Sequence, residues 1–387
     1  MSYSSDLSDK DWVIIEPLLS SMLKFSGSGR RSQWSNRELL NGMLYQLKNG
    51  YQEPRRITLL FNFIKNIGMK KILLAGGAGY IGTELCKRLQ RLDYKVTVID
   101  ELWFGNNLNP KVELIQKDLL HVTHNELKGF DTVIFLGGVS NDPMAEFSPS
   151  ENFIQNAACP AYLSYESKRA GVRRFIYASS CSVYGYTVDE LYDEKSPTTC
   201  SYPYGISKLQ GENGVMHLAD DKFSVIALRQ GTVCGHSDRM RFDLVVNTMF
   251  KNAMTTGKIT VNNPSIWRPI FHIQDACSAF IRSIQAPDNI SGVFNVASDN
   301  YTLGQIGDIV GAEMSKNLDK EVKVHINDVQ DFRNYKVSIQ HAKLALGFTP
   351  VYGVKEIINQ LFENADKYGN YEDDKYYNIK VFKNLGK

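Results

Sequence analysis

A tyrosine and a lysine stand four residues apart in "CSYPYGISK", at Tyr204 and Lys208, a spacing that puts both on one face of a helix. A phenol acts as a base only once it is phenolate, and its ordinary pKa of about 10 is too high for work near neutrality. A neighbouring ammonium favours the phenolate, so the pair is suited to taking a proton from a hydroxyl and returning it. Upstream, the apolar run in "RRFIYASSCSVYG" ends on Ser180, whose hydroxyl can bond the same substrate oxygen. Tyrosine and lysine meet at this spacing often by chance on helix surfaces, so the pair carries weight only in company.

The company is a glycine turn. Gly76, Gly77, Gly79 and Gly82 in "LLAGGAGYIGTEL" follow an apolar strand and open a helix, with Tyr80 and Ile81 between the last two. Glycines there let the backbone turn tightly and approach a pyrophosphate, with the helix N-terminus facing the anion. Asp100 ends the next strand, where a carboxylate accepts hydrogen bonds from ribose hydroxyls. It would also repel a 2′-phosphate, and no Arg or Lys follows in "DELWFG", so the expected cofactor is NAD, not NADP. A cationic nicotinamide ring would add to the pull toward phenolate at Tyr204.

The elements that must hold these residues are legible as texture. From Lys70 onward, apolar runs such as "KKILLAG", "KVTVID", "DTVIFLGG" and "FSVIALRQG" alternate with helix-length segments, which predicts an α/β fold with a parallel sheet and helices on both faces. With 387 residues and 43% hydrophobic content, the chain can fill one large or two modest cores. Six scattered cysteines without a C-x-x-C pair suggest neither a zinc site nor a disulfide framework, and a reducing, cytoplasmic setting is expected. No apolar run approaches the ~20 residues of a membrane span. His272, in "IFHIQDA", reads as a structural hydrogen-bonder, and the aromatic tail "KYGNYEDDKYYNIKVF" as a surface wrap.

Taken in order, the glycine turn, strand-end Asp100, strand-end serine and Y-x-x-x-K resemble the extended short-chain dehydrogenase/reductase family, in particular its nucleotide-sugar epimerases and dehydratases. The resemblance runs from about Met69 to Phe382, and "SSCSVYG", "PYGISK" and "WRPIFHIQD" are its most specific pieces. It implies a Rossmann-type, doubly wound parallel sheet over 69–237, with a stretch about 265–291 returning to it. A smaller, mainly substrate-binding domain over 238–387 would roof the pocket. It also implies Tyr204 as acid/base, Lys208 as its electrostatic partner and a cofactor-ribose ligand, and Ser180 as substrate-hydroxyl binder. Asp118 and Leu119 match the residues near adenine, Leu136, Gly137 and Gly138 the cofactor-side strand end, and Asn156 the helix asparagine. Arg268 matches the arginine that holds the nucleotide diphosphate, while Asn247 and Arg333 fall in regions that line the nucleotide.

Departures from the family pattern narrow the activity. Sugar 4,6-dehydratases carry an Asp-Glu pair after the strand-end hydroxyl, whereas Cys181 and Ser182 stand here, which disfavours water elimination. Thr232 stands where galactose-type epimerases often have asparagine, which leaves sugar and nucleotide open. The expectation is a C4 epimerase acting on a nucleotide-sugar, working as a homodimer through the helices that start near Asn156 and Tyr204. An NAD(P)H-dependent 4-keto-sugar reductase or sugar dehydratase of the same family and, from another class, a DNA-associated NAD(H) sensor without catalysis are the alternatives.

The first 68 residues read as a short helical extension, with nine Lys/Arg against six Asp/Glu. "YSSDLSDKDWVIIEPLLS" and "NRELLNGMLYQLKNGYQ" resemble the N-terminal region of insertion-sequence transposases, over about Ser2 to Gln52. Its mild basic excess hints at nucleic acid for that extension alone, and the chemistry is expected to begin at Met69.

Overall fold

The structure, a computed structural model, describes residues 70–327 and 334–386, so expectations for the N-terminal extension and for Arg333 lie outside the described residues. Residues from Lys70 onward form one compact unit. Its centre is a sheet of seven strands: β1 (Lys71–Ala75), β2 (Lys95–Asp100), β3 (Glu113–Gln116), β4 (Thr132–Phe135), β5 (Arg174–Ser180), β7 (Ser224–Gln230) and β11 (Gly292–Val296). They lie in the order β11-β7-β5-β4-β1-β2-β3, with every ladder parallel. Shorter ladders join β6 (Tyr186–Tyr192) to β14 (Asn334–Val337), β9 (Lys258–Asn262) to β13 (Lys323–Asn327), and β8 (Thr232–Cys234) and β12 (Asp299–Thr302) to β10 (Trp267–His272).

Both faces of the main sheet are covered, which is why its strands read as continuous apolar runs. Ile72 and Leu74 of β1 face one way, against Leu85 and Leu89 of α1 (Tyr80–Arg91) and Phe280 and Ile284 of a later helix, Ile273–Gln285. Leu73 and Ala75 face the other way with Phe135 and Tyr177, under Leu163 and Val215 of the helices described below. A second core lies among Phe250, Ile259, Val261, Val310 and Ile358, the centre of the smaller, mainly C-terminal part.

Two expectations need correction. The return to the main sheet does not stop at residue 291, because β11 pairs with β7 from Gly292↔Ile226 to Val296↔Gln230 and forms the edge strand. The aromatic tail is not a surface wrap: Tyr368 and Tyr376 are buried around Phe242, and Phe382 packs on Trp103 and Phe104.

Candidate active site

Strand order reverses between β1 and β4, and the crevice at their carboxyl ends is where an open α/β sheet receives a ligand. The turn after β1 is built for close approach. Gly76 has φ +75°, and a Cβ on it would lie 2.3 Å from the Gly137 Cα at the end of β4. Helix α1 begins immediately afterwards from Gly79, with no side-chain cap and no acidic residue in its first turn. Its first backbone bond runs from Thr83 N–H to Gly79 O, so the preceding amides face the crevice without a helical acceptor. Asp100 braces the turn: one carboxylate oxygen accepts from Ala78 N–H at 2.9 Å and the other from Leu102 N–H at 2.7 Å. Each oxygen keeps a lone pair for a ribose hydroxyl. Burial raises its pKa, and those two amides pull it back. An anion cradle beside a fixed carboxylate fits an adenine dinucleotide.

Helix α5 (Pro203–Met216) carries the proton chemistry. Pro203 sits in its first turn, where a missing N–H costs nothing, and Tyr204, Lys208 and Glu212 follow at helical spacing on the sheet-facing side. The helix can come close because of Gly211, where a Cβ would be 2.1 Å from Asn156 O. Asn156 lies in a π-turn, Ile154–Ala158, that joins α3 (Pro149–Phe153) to α4 (Cys159–Arg169), after α2 (Asp142–Phe147). Its amide nitrogen donates to Val139 O at 2.8 Å and Asn152 Oδ1 at 2.9 Å, tying that turn to the loop after β4.

Lys208 is 5% exposed, donates to Ala178 O at 3.0 Å, and places Nζ 5.9 Å from the Tyr204 ring centroid. Burial lowers its pKa to about 7. Burial also pushes the Tyr204 phenol well above its ordinary value; a hydrogen bond with Ser180 and the positive charge of Arg241 oppose that, while Asp142 and Tyr335 add to it. Ser180 ends β5 and caps the following turn through Ser182 N–H at 3.1 Å.

A cleft of about 590 Å³ brings most of the expected residues together: Gly76, Gly79, Tyr80, Ile81, Gly82, Leu136, Gly137, Gly138, Ser180, Tyr204, Lys208, Thr232 and Arg268 border it. Arg268 lies with its guanidinium 5.5 Å from the Tyr335 ring centroid. Others stand behind the lining. Asp118 caps a short turn by accepting from Leu120 N–H at 2.9 Å, and Leu119 lies beneath Gly137. The Tyr80 hydroxyl is turned away to Gly235 O.

Asn247 does not face the cleft, contrary to expectation. It is fully buried on α6 (Val245–Thr256), where Oδ1 accepts from Gly235 N–H at 3.0 Å and Nδ2 donates to Tyr80 Oη at 3.1 Å and Arg241 O at 2.8 Å. Its amide is consumed in latching the segment after β8 to α1. His272 is structural as expected, accepting from Gln274 N–H at 3.0 Å as the cap of α7 (Ile273–Gln285), with burial lowering its pKa to about 4.

Sequence reasoning missed four polar residues at this cleft. Arg241 forks onto Asp243, with Nε to Oδ1 at 2.8 Å and Nη2 to Oδ2 at 3.0 Å, and donates to Ser140 Oγ. Gln230, paired in register with Ser180, keeps a buried Oε1 with no partner. Arg239 donates to Asn378, the first residue of α10 (Asn378–Leu385), which follows α8 (Leu303–Leu318) and α9 (Val354–Glu363). "DRMRFD" was an available signal: two arginines in a stretch following a strand end.

This layout agrees with what comparison finds. The chain is 23% identical over 313 residues to UDP-glucose 4-epimerase of Neisseria meningitidis serogroup C, covering 72% of this chain and 92% of that protein. It is 25% identical over 324 residues to UDP-glucose 4-epimerase of Bacillus subtilis (strain 168), covering 74% and 94%. Among solved structures, MoeE5 in complex with UDP-glucose and NAD superposes with a TM-score of 0.68 at 24% identity, over 78% of this chain and all of that one, which speaks for the fold. The profile of the NAD dependent epimerase/dehydratase family matches residues 72–297, from the first buried residue of β1 to just past the edge strand β11. Because that span takes in the glycine turn, Asp100, Ser180 and all of α5, the chain belongs to the NAD dependent epimerase/dehydratase family, and its cofactor is NAD.

Proposed function

We propose that this protein interconverts the two C4 epimers of a nucleotide-activated sugar through a transient 4-keto intermediate. The observation that carries the reading is Tyr204 beside Ser180, with Lys208 one helical turn away, all bordering one cleft together with the glycine turn and Arg268. The relatives named above, both UDP-glucose 4-epimerases, support it.

In this reading Asp100 and the amides opening α1 hold the dinucleotide, and Lys208 reaches its nicotinamide-side ribose. When bound, NAD would supply a reversible hydride acceptor for the sugar carbon. Tyr204 takes the proton of the C4 hydroxyl and later returns it, while Ser180 holds the same oxygen through its hydroxyl. In the ligand-free cleft the phenol is protonated and the lysine shares its site with little water, so each charge alone is costly. A phenolate beside an ammonium removes both costs together, and proton loss from Tyr204 is thereby coupled to Lys208 being charged. Arg268 and Thr232 would hold the nucleotide and the sugar. Cys181 is buried and Ser182 bonds Ser180, so the positions where dehydratases place an acid and a base offer neither, which favours epimerisation over elimination.

The test is to incubate the purified protein with UDP-, GDP-, CDP- and dTDP-hexoses and follow sugar stereochemistry by NMR. Interconversion of a gluco/galacto-type pair without added NADH is expected. Conversion that consumes NADH stoichiometrically would replace epimerisation with single reduction of a 4-keto sugar.

A further inference from the structure

Arg239 is a buried cation that meets no carboxylate among the described residues. It is 3% exposed, lies on the stretch after β8, and its guanidinium stands 3.9 Å from the Phe104 ring centroid in the loop that follows Asp100. Nη2 donates at 2.5 Å to Asn378 Oδ1, a neutral acceptor. The neighbouring Arg241 has its charge met by Asp243 in a two-point fork; Arg239 feels Asp243 and Asp100 only at a distance. Burying a guanidinium this deeply without an ion pair is unfavourable unless something anionic arrives to complete it. Burial lowers its pKa to about 9, in keeping with that unmet charge.

The surroundings say which anion. Arg239 borders the cleft together with Gly79, Tyr80, Ile81 and Phe104, at the end where the N-terminal amides of α1 converge and Asp100 braces the turn. Arg268 borders the same cleft beside Tyr335, which packs with Cys181 and Val183 past the end of β5. An anion at the glycine turn would therefore have backbone amides on one side and the Arg239 fork on the other, whose planar geometry suits two phosphoryl oxygens.

We infer that Arg239 clamps the pyrophosphate of the bound dinucleotide from the side opposite the glycine turn, with Asn378 holding its guanidinium in place. The inference rests on the proposed function only in supposing that a cofactor regenerated each cycle is worth retaining; the clamp itself concerns NAD binding and is testable without any sugar. Arg239 is thus a positioning and retention residue, not a catalytic one.

Two opposing thermodynamic changes distinguish a clamp from a structural arginine. Arg239→Gln and Arg239→Met proteins, stripped of cofactor, should melt at or above wild type, since an uncompensated buried charge is gone. The rise in melting temperature on adding NAD should shrink, because that rise scales with affinity. Titration by protein fluorescence should show NAD and ADP-ribose weakened tenfold or more, with adenosine, which lacks the pyrophosphate, and UDP essentially unchanged. Arg239→Lys, which keeps the charge and loses the fork, should fall between and serves if the neutral variants do not fold. Unchanged NAD affinity in all variants overturns the inference. So does a loss confined to UDP, which would reassign Arg239 to the sugar nucleotide.

Discussion

An ammonium almost out of reach of water is an expensive group to bury, and Lys208 shows it. Burial lowers its pKa in the folded protein to about 7, from an ordinary 10.5. Between those values the unfolded chain binds the proton more readily, so stability rises with pH across this window. Below pH 7 the penalty is fully present; above about 10.5 it vanishes. Lys208→Met, without cofactor, should therefore be more stable than wild type at pH 6, by up to about 5 kcal/mol since each tenfold change in proton affinity is worth about 1.4 kcal/mol, and the gain should fade toward pH 10. The lost bond to Ala178 O offsets part of it. Turnover should fall at least a hundredfold in the same protein, the general scale of acid–base assistance. Calorimetry from pH 6 to 10 decides it; a variant melting below wild type throughout would show that the lysine is not strained. Tyr204, Lys208 and Ser180 were legible in the sequence because proton chemistry restricts residue type and spacing together. Asn247 was misread and Arg239 missed for one reason: whether a polar side chain on a cap segment meets the cleft or the back of α1 depends on packing between distant segments.

At the scale of elements, α5 does more than present a tyrosine. Glu212, one turn beyond Lys208, is 2% exposed, accepts from Ser179 Oγ at 2.6 Å, and takes a fork from Arg229 with Nη2 to Oε1 at 2.6 Å. Arg229 also donates to Tyr184 Oη at 2.8 Å. This buried network locks α5 to the ends of β5 and β7 beside Ser180, and so sets the distance between hydroxyl and phenol. Removing one partner of such a pair strands the other charge, which costs about 3–5 kcal/mol. Glu212→Gln should lower the denaturant midpoint accordingly and reduce turnover with little change in NAD affinity. A midpoint within about 0.5 kcal/mol of wild type would show that the network is not holding the helix. The parallel strands were legible because burial on both faces leaves unbroken apolar runs. The destination of β11 was not, because "GVFNVA" suits an edge of either sheet; only its ladder with β7 places it.

For the whole molecule, α4 and its approach leave apolar side chains in water: Phe153 is 37% exposed, Ile154 39% and Tyr165 50%. Together with the resemblance drawn from the sequence, this face is the expected seat of a second copy, packed through α4 and α5 about a two-fold axis. Light scattering should give twice the chain mass, and Ile154→Asp with Tyr165→Glu should halve it without unfolding the protein. A wild-type monomer at every concentration would count against that assembly. Within the described residues no helix is long and apolar enough to cross a membrane.

The C-terminal helix carries a consequence for how the protein is made. Phe382 packs on Trp103 and Phe104, and Asn378 donates to Ser140 Oγ at 2.9 Å while holding Arg239, so the loops after β2 and β4 and the stretch after β8 are all pinned by a helix translated well after the sheet. On the ribosome the glycine turn and β1 through β5 can assemble early, but Phe104 lacks its Phe382 contact until α10 has left the exit tunnel. A nascent chain stalled after Glu363 should bind NAD weakly, because Arg239 lacks Asn378, and should gain full affinity only once α10 has emerged.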